Sequence, residues 1–171
     1  MKLQLKRVLR HRLATSHRSV FPAASMDRLT RLVAESEQHH SGQIRICIET
    51  RLPQLDLVSK QDTAALVRQR ALYQFSHLHV WDTEHNNGVL IYLLIAERAI
   101  EIVADRGLNS RVDAEVWKML VTQLGEDFHQ GRFEQGLEAT VVAVGGLLQQ
   151  HFPLQPGQVT TNELPNEPVV Q

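Results

Sequence analysis

The sequence predicts an α/β fold, a three-layer α/β/α sandwich built on a small mixed sheet, and three observations carry that prediction. Gln43 to Thr50 alternates, with Ile44, Ile46 and Ile48 on one side and Gln43, Arg45, Cys47 and Glu49 on the other, which is the two-residue period of a strand. Val89 to Ile95 is an unbroken apolar run of strand length, as a strand covered on both faces requires. Segments with apolar residues at helical spacing precede, separate and follow these two, so helices pack on both sides of the sheet.

The totals allow such a fold. A chain of 171 residues forms one domain plus tails and buries a core without disulfides or metal staples. The single cysteine, Cys47, excludes an intrachain disulfide framework. The net charge of -1 hides an asymmetry: Lys2, Lys6, Arg7, Arg10, Arg12 and Arg18 place six positive charges and no acid in the first twenty residues, leaving -7 for the rest. Such a leader suits an anionic membrane surface, an acidic partner or nucleic acid, or else stands as a solvated tail. The acidic body disfavours nucleic acid. No apolar signal-peptide core follows the basic start, and the longest apolar run, Val89 to Ala96, is far short of the ~20 residues that span a bilayer. The expected location is cytoplasmic, peripheral at the inner membrane.

Taken in order, residues 1–22 form the basic leader, in which Leu3, Leu5, Val8 and Leu13 alternate with Lys and Arg as in a short helix lying on a membrane. The contact residues expected there are Lys2, Lys6, Arg7, Arg10 and Arg12. The domain runs from 23 to 152. Ser25 reads as the N-cap of a helix with Met26, Leu29, Leu32 and Val33 on one face, stopped at Ser41-Gly42. After the first strand, Ser59-Lys60-Gln61-Asp62 reads as a capping box before Leu66, Val67, Ala71, Phe75 and Leu78. His79 to Asn87 is a polar loop. The second strand turns at Ala96-Glu97-Arg98 into a third, where Ile100, Ile102 and Ala104 alternate with more polar positions as at a sheet edge.

Ser110 to Asp113 repeats the cap pattern before a helix bearing Val116, Trp117, Leu120, Val121 and Leu124, with Gly125 a bend and Gly131 the stop. Glu134 to Gln150 is the last helix, and its Gly136, Ala139, Ala143, Gly145 and Gly146 leave room for a close neighbour. Residues 153–171, rich in Pro, Gln, Asn and Thr, are expected to form a disordered tail.

This order makes the first two strands parallel and the second and third an antiparallel hairpin. One rim then gathers Gly42, Asn86, Asn87, Gly88 and Asp105; the other carries Glu49, Arg51, Glu97 and Arg98. The first rim is the candidate cation site, because Asp82, Glu84, Asn86, Asn87 and Asp105 offer the oxygen donors that calcium or magnesium prefers. The spacing is not that of an EF-hand, since Leu93 stands where the closing acid would be. The competing reading is that Asp82 and Asn87 shape a turn and Asp105 ends a strand. Neither His77, His79 and His85 nor the His39-His40 pair matches a zinc spacing. No phosphate loop, nucleophile elbow or dinucleotide fingerprint occurs.

Ser41-Gly42-Gln43-Ile44, Asn87-Gly88-Val89-Leu90-Ile91, Arg98 with Ile100-Glu101-Ile102, and Phe128-x-x-Gly131-x-Phe133-x-x-Gly136-Leu137 together resemble the TPM domain family over about Asp27 to Leu148. The resemblance implies a sandwich of Rossmann-like appearance without a dinucleotide site. It also implies a bacterial protein whose relatives bind calcium, act as acid phosphatases, or serve in photosystem repair or as membrane-associated accessory proteins. Many relatives carry a signal peptide and a membrane helix; this chain looks like the short form with a basic leader. Where the family has Asp-Asn-Gly this chain has Asn86-Asn87-Gly88, so Asp105 would have to supply the missing charge. Two functions stay open: a non-catalytic accessory or binding domain that binds a divalent cation and contacts a membrane or membrane protein, and a metal-assisted phosphatase in which Arg106 steadies the phosphate.

Overall fold

The alternating segment becomes β1 (Gln43–Glu49), and the apolar run becomes β2 (Gly88–Leu94), paired in parallel from Gln43 opposite Gly88 to Glu49 opposite Leu94. A 3-10 turn at Ile95–Glu97, closed by Arg98 in the left-handed region, returns the chain as β3 (Ala99–Ala104), antiparallel to β2. The computed structural model describes residues 2–155, 157–158 and 161–171, with side chains from Leu5 onward.

Eight helical segments complete the described chain. They are α1 (Lys2–Arg12), α2 (His17–Val20), α3 (Ala23–Ser36), α4 (Gln54–Leu57), α5 (Thr63–His77), α6 (Arg106–Asn109), α7 (Ala114–His129) and α8 (Phe133–His151). The period-two pattern of β1 sorts them into layers. Ile44, Ile46 and Ile48 face a core shared with Leu29 and Val33 of α3, Leu124 of α7 and Val141 and Val144 of α8. Each such fully buried side chain contributes roughly 1.5 to 3 kcal/mol. Cys47 faces the other layer with Leu90 and Tyr92, under Leu66, Val67 and Ala71 of α5. Burial pushes its thiol up to about 12. The α/β/α sandwich and the parallel and antiparallel pairings stand as expected.

Several local expectations are corrected. Ser25 is buried inside α3, which starts after Pro22. Asp62, not Ser59, caps α5, accepting from the Ala65 N–H at 2.8 Å, and Asp113, not Ser110, caps α7, accepting from Glu115 at 2.9 Å. In both cases the carboxylate takes a first-turn amide itself. Gly125 causes no break in α7, whereas Gly131, at φ +76°, ends the helical turn as expected.

The largest correction concerns the two ends. The leader is helical, as expected, but it is docked on the body through Arg7 and His11 rather than standing as a solvated tail. The tail is not disordered over 161–171: Val169–Val170 form β4, parallel to β1, so the sheet order is β3-β2-β1-β4. Two residues of strand carry too little apolar signal to read, but their backbone groups satisfy the open edge of β1. Pro156, Val159 and Thr160 of the tail lie outside the described residues.

Candidate functional site

The residues of the predicted cation rim sit in the loop before β2 and at the turn from β3 into α6. Asp105 pairs its N–H with the Gly88 carbonyl at 2.9 Å and caps α6 through Oδ1, which accepts from the Arg106 N–H at 2.7 Å. Asn86 sits at φ +50°, a conformation its short polar side chain tolerates. Its Oδ1 accepts from Nε and Nη2 of Arg106 at 3.0 and 2.8 Å. Gly107 closes the turn, where a Cβ would stand 2.5 Å from the carbonyl oxygens of His85 and Asn86. Asn87 is fully buried, donating its N–H to Thr83 Oγ1 at 3.0 Å and Nδ2 to Ser41 Oγ at 3.2 Å.

Two oxygens here have no hydrogen-bond partner among the described residues, Asn87 Oδ1 and Asp105 Oδ2, both buried. They fit a hard cation in kind. Of the rest of the predicted set, the Asn86 amide oxygen is taken by Arg106, Asp82 and Glu84 are exposed, and the Glu84 N–H is taken by the Glu163 carboxylate at 2.9 Å. Among the described residues no three of His, Cys, Asp and Glu converge to hold a metal.

Beside this rim a polar lock fixes the end of α3. His40 Nδ1 donates to the Gly42 carbonyl at 3.0 Å, so Nε2 is the acceptor for the Ser36 hydroxyl at 2.9 Å. Burial pulls His40 down to about 4. Glu37 accepts the Ile44 N–H at 2.9 Å, and burial pushes its carboxyl up to about 7.

The other rim holds a helix whose polarity is inverted. Arg7 is completely buried and donates to the carbonyls of Ser59 and Gln61 at 3.1 and 2.9 Å. His11 Nδ1 accepts the Leu52 N–H at 3.1 Å, which leaves Nε2 to donate to Glu97 at 3.1 Å. Burial lowers the pKa of His11 despite that carboxylate. Arg10 meets the same Glu97 at 2.7 Å. Arg7 therefore cannot be the surface contact it was expected to be, since it is committed to the interior. The Lys2 side chain lies outside the described ones.

With the polar side turned inward, Leu5, Leu9 and Leu13 are left 72%, 57% and 75% exposed. At 100° per residue they form one stripe, with Arg12 on one flank and Lys6 and Arg10 on the other. Below the stripe a groove of about 430 Å³ runs between Leu9, Leu13, Val20, Ile95 and Phe133, with Arg98 on its wall. Among the described residues no helix is long and apolar enough to cross a membrane. Of this stripe the sequence pattern picks out Leu5 and Leu13 with Lys6, Arg10 and Arg12 but misses Leu9; Glu97, 86 positions from His11, is the fastening residue that local patterns cannot find.

Comparison with known proteins agrees with this architecture. Residues 15–147 match the sequence model of the TPM domain. The NMR structure of BA42 protein from the psychrophilic bacterium Bizionia argentinensis is similar at TM-score 0.73 and 28% identity, covering 88% of this chain and 95% of that one. The solution NMR structure of the N-terminal domain of a protein from P. gingivalis is similar in fold at TM-score 0.59 and 16% identity, covering 80% of this chain and 83% of that one. No curated protein matches the chain.

Proposed function

The chain belongs to the TPM domain family, and from that premise we propose that it is a non-catalytic accessory domain that docks on an anionic lipid surface through α1. The carrying observation is the inverted helix: its charges are fastened inside by Glu97 while Leu5, Leu9 and Leu13 face outward between basic residues. An apolar stripe rimmed by Lys and Arg is the chemistry of an interfacial helix, whose leucines enter the acyl boundary while the basic flanks meet lipid phosphates. Lys6 and Arg12, the flanking charges that Glu97 does not engage, each add about 1 kcal/mol near an anionic surface. Sedimentation of the full chain with anionic but not zwitterionic vesicles, weakened by salt, tests it; equal recovery in both would overturn it.

A second reading has its own observation. The buried, partnerless Asn87 Oδ1 and Asp105 Oδ2 favour weak divalent-cation binding at the hairpin rim. Asn87 and Asp105 would hold the ion, which would supply the positive charge their oxygens lack. Calorimetric titration of the chelator-treated chain with calcium tests this, and no heat at millimolar calcium would overturn it. Phosphate-ester hydrolysis gains no such support: the guanidinium of Arg106, the residue assigned to the phosphate, is bound to Asn86.

A further inference from the structure

Two openings beside α1 meet at one side chain. The groove of about 430 Å³ under the leucine stripe has apolar walls that include Leu13, Val20, Ile95 and Phe133. A narrow recess adjoins it, reaching Leu93, Leu94 and Phe128, and Val20, Ile95, Phe133 and Arg98 line both spaces. Arg98 is the one polar side chain on the recess among the described residues. The Phe128 and Phe133 rings that line it meet edge to face, with 4.9 Å between centroids. Leu9 and Leu13, both exposed, form the lip of the groove and leave its space open.

The charges on the groove are sorted as sharply as its apolar walls. Glu97 is fully buried, and its carboxylate is spent on Arg10 at 2.7 Å and His11 at 3.1 Å. It presents no free negative charge to the opening, and Arg10 is committed to the same pair. Arg98 is exposed and closes the 3-10 turn at φ +50°; its guanidinium has no hydrogen-bond or ion-pair partner among the described residues. An apolar channel with one uncommitted guanidinium complements a molecule with one long apolar part and one negative charge. A guanidinium meets a carboxylate through two parallel hydrogen bonds, which suits that charge to a carboxylic acid. The groove lies toward the low end of the range of about 300 to 1,000 Å³ that small-molecule sites occupy, which favours one alkyl chain over two.

We propose that this groove binds a single-chain fatty acid, with its carboxylate on Arg98 and its alkyl chain covered by Leu13, Val20, Ile95 and Phe133. Binding removes from water the apolar surface that the lip of α1 leaves exposed. The site rests on the groove and not on lipid docking, because a dissolved fatty acid reaches it without a bilayer.

The test uses the full chain and, as probe, dodecanoate kept below its micelle-forming concentration, followed by calorimetry and by the methyl NMR signals of Val20 and Ile95. Saturable one-to-one binding that shifts both signals is expected. Octanoate should bind at least tenfold more weakly, since each buried methylene is worth roughly a fourfold change in affinity. Dodecyltrimethylammonium, with the same chain and the opposite charge, should also lose at least tenfold. Arg98→Gln should weaken dodecanoate at least tenfold, and Ala14→Trp, which adds bulk inside the groove and removes none of its walls, should do the same. No saturable binding, equal affinity for the two head-group charges, shifts confined to residues outside the groove, or an Arg98→Gln chain that binds dodecanoate as tightly as the wild type overturns the proposal. Dodecanoate binding by a chain that fails to sediment with anionic vesicles upholds this site while the membrane reading falls; sedimentation without dodecanoate binding does the reverse.

Discussion

His11 Nε2 lies 3.1 Å from Oε1 of Glu97, both side chains buried, and this contact fastens α1 to the sandwich by its polar side. The usual amphipathic helix buries its leucines and shows its charges. Here the arrangement is reversed, because Glu97 concentrates Arg7, Arg10 and His11 around one carboxylate.

Glu97→Ala should release α1. Removing the carboxylate leaves the buried Arg7 guanidinium without its anion and the His11 Nε2–H without an acceptor, a change that costs about 3 to 5 kcal/mol when the partners stay buried. The helix can leave instead. Trypsin cleavage after Arg7 and Arg10 is therefore expected to rise at least tenfold, while the thermal transition of the sandwich moves little. Unchanged cleavage would show that Glu97 does not hold the helix.

Glu37 and His40 should give opposite pH slopes that largely cancel in the wild type. The folded carboxyl of Glu37 titrates at about 7, above its unfolded value of 4.5, so its contribution is fully present below 4.5 and is lost as pH rises toward 7. His40 titrates at about 4, below its unfolded 6.5, so its contribution is present above 6.5 and is lost as pH falls toward 4. Glu37→Gln is expected to expose the histidine slope, with stability rising by about 1 to 3 kcal/mol from pH 4.5 to 6.5. His40→Asn should expose the falling slope of Glu37. Urea melts across that range check both.

Gly145 and Ser36 should be strongly coupled. A Cβ at Gly145 would stand 2.1 Å from Ser36 Oγ and 3.4 Å from Ser36 Cβ. Gly145→Ala is expected to cost about 1 to 3 kcal/mol by overpacking. In a Ser36→Ala background the Cβ meets only ordinary contact, and the substitution should become neutral or stabilise by up to ~1 kcal/mol through helix propensity. A double-mutant cycle measures the coupling.

Asp105→Asn separates the two readings of the hairpin rim. If the Asp105 carboxylate and Asn87 hold a cation, calcium raises the melting temperature of the wild type and the variant loses that response. The variant should still fold, because an asparagine Oδ1 can cap α6 as Asp105 does. A thermal shift series in calcium and in chelator reads the difference.

The sandwich was legible because its signals are local. The alternation of Ile44, Ile46 and Ile48 and the apolar run of β2 state both period and burial, and the Ala96-Glu97-Arg98 turn fixes the hairpin. What could not be read depends on distant partners. The leucines of α1 read as the face of a surface helix, but that Arg7 and His11 turn inward depends on Glu97, which only the fold places beneath them. The strand at Val169–Val170, following Pro165 and Pro168, is specified by the β1 edge and by Gln43 and Arg45 rather than by its own composition. At the rim, adjacency of Asn86, Asn87 and Asp105 followed from topology, but exposure of Asp82 and Glu84 is set by the path of the loop.

The central claim is that the outward leucines of α1 meet an anionic membrane. It is tested most directly by sedimenting the wild type and a Leu5→Gln, Leu9→Gln, Leu13→Gln variant with anionic vesicles. The variant keeps every charge and leaves the Arg7, His11 and Glu97 contacts untouched. The account predicts that the wild type sediments and that the variant stays at least tenfold more in the supernatant. A variant that sediments as well as the wild type would contradict it, showing that charge alone, and not the inverted helix, carries the binding.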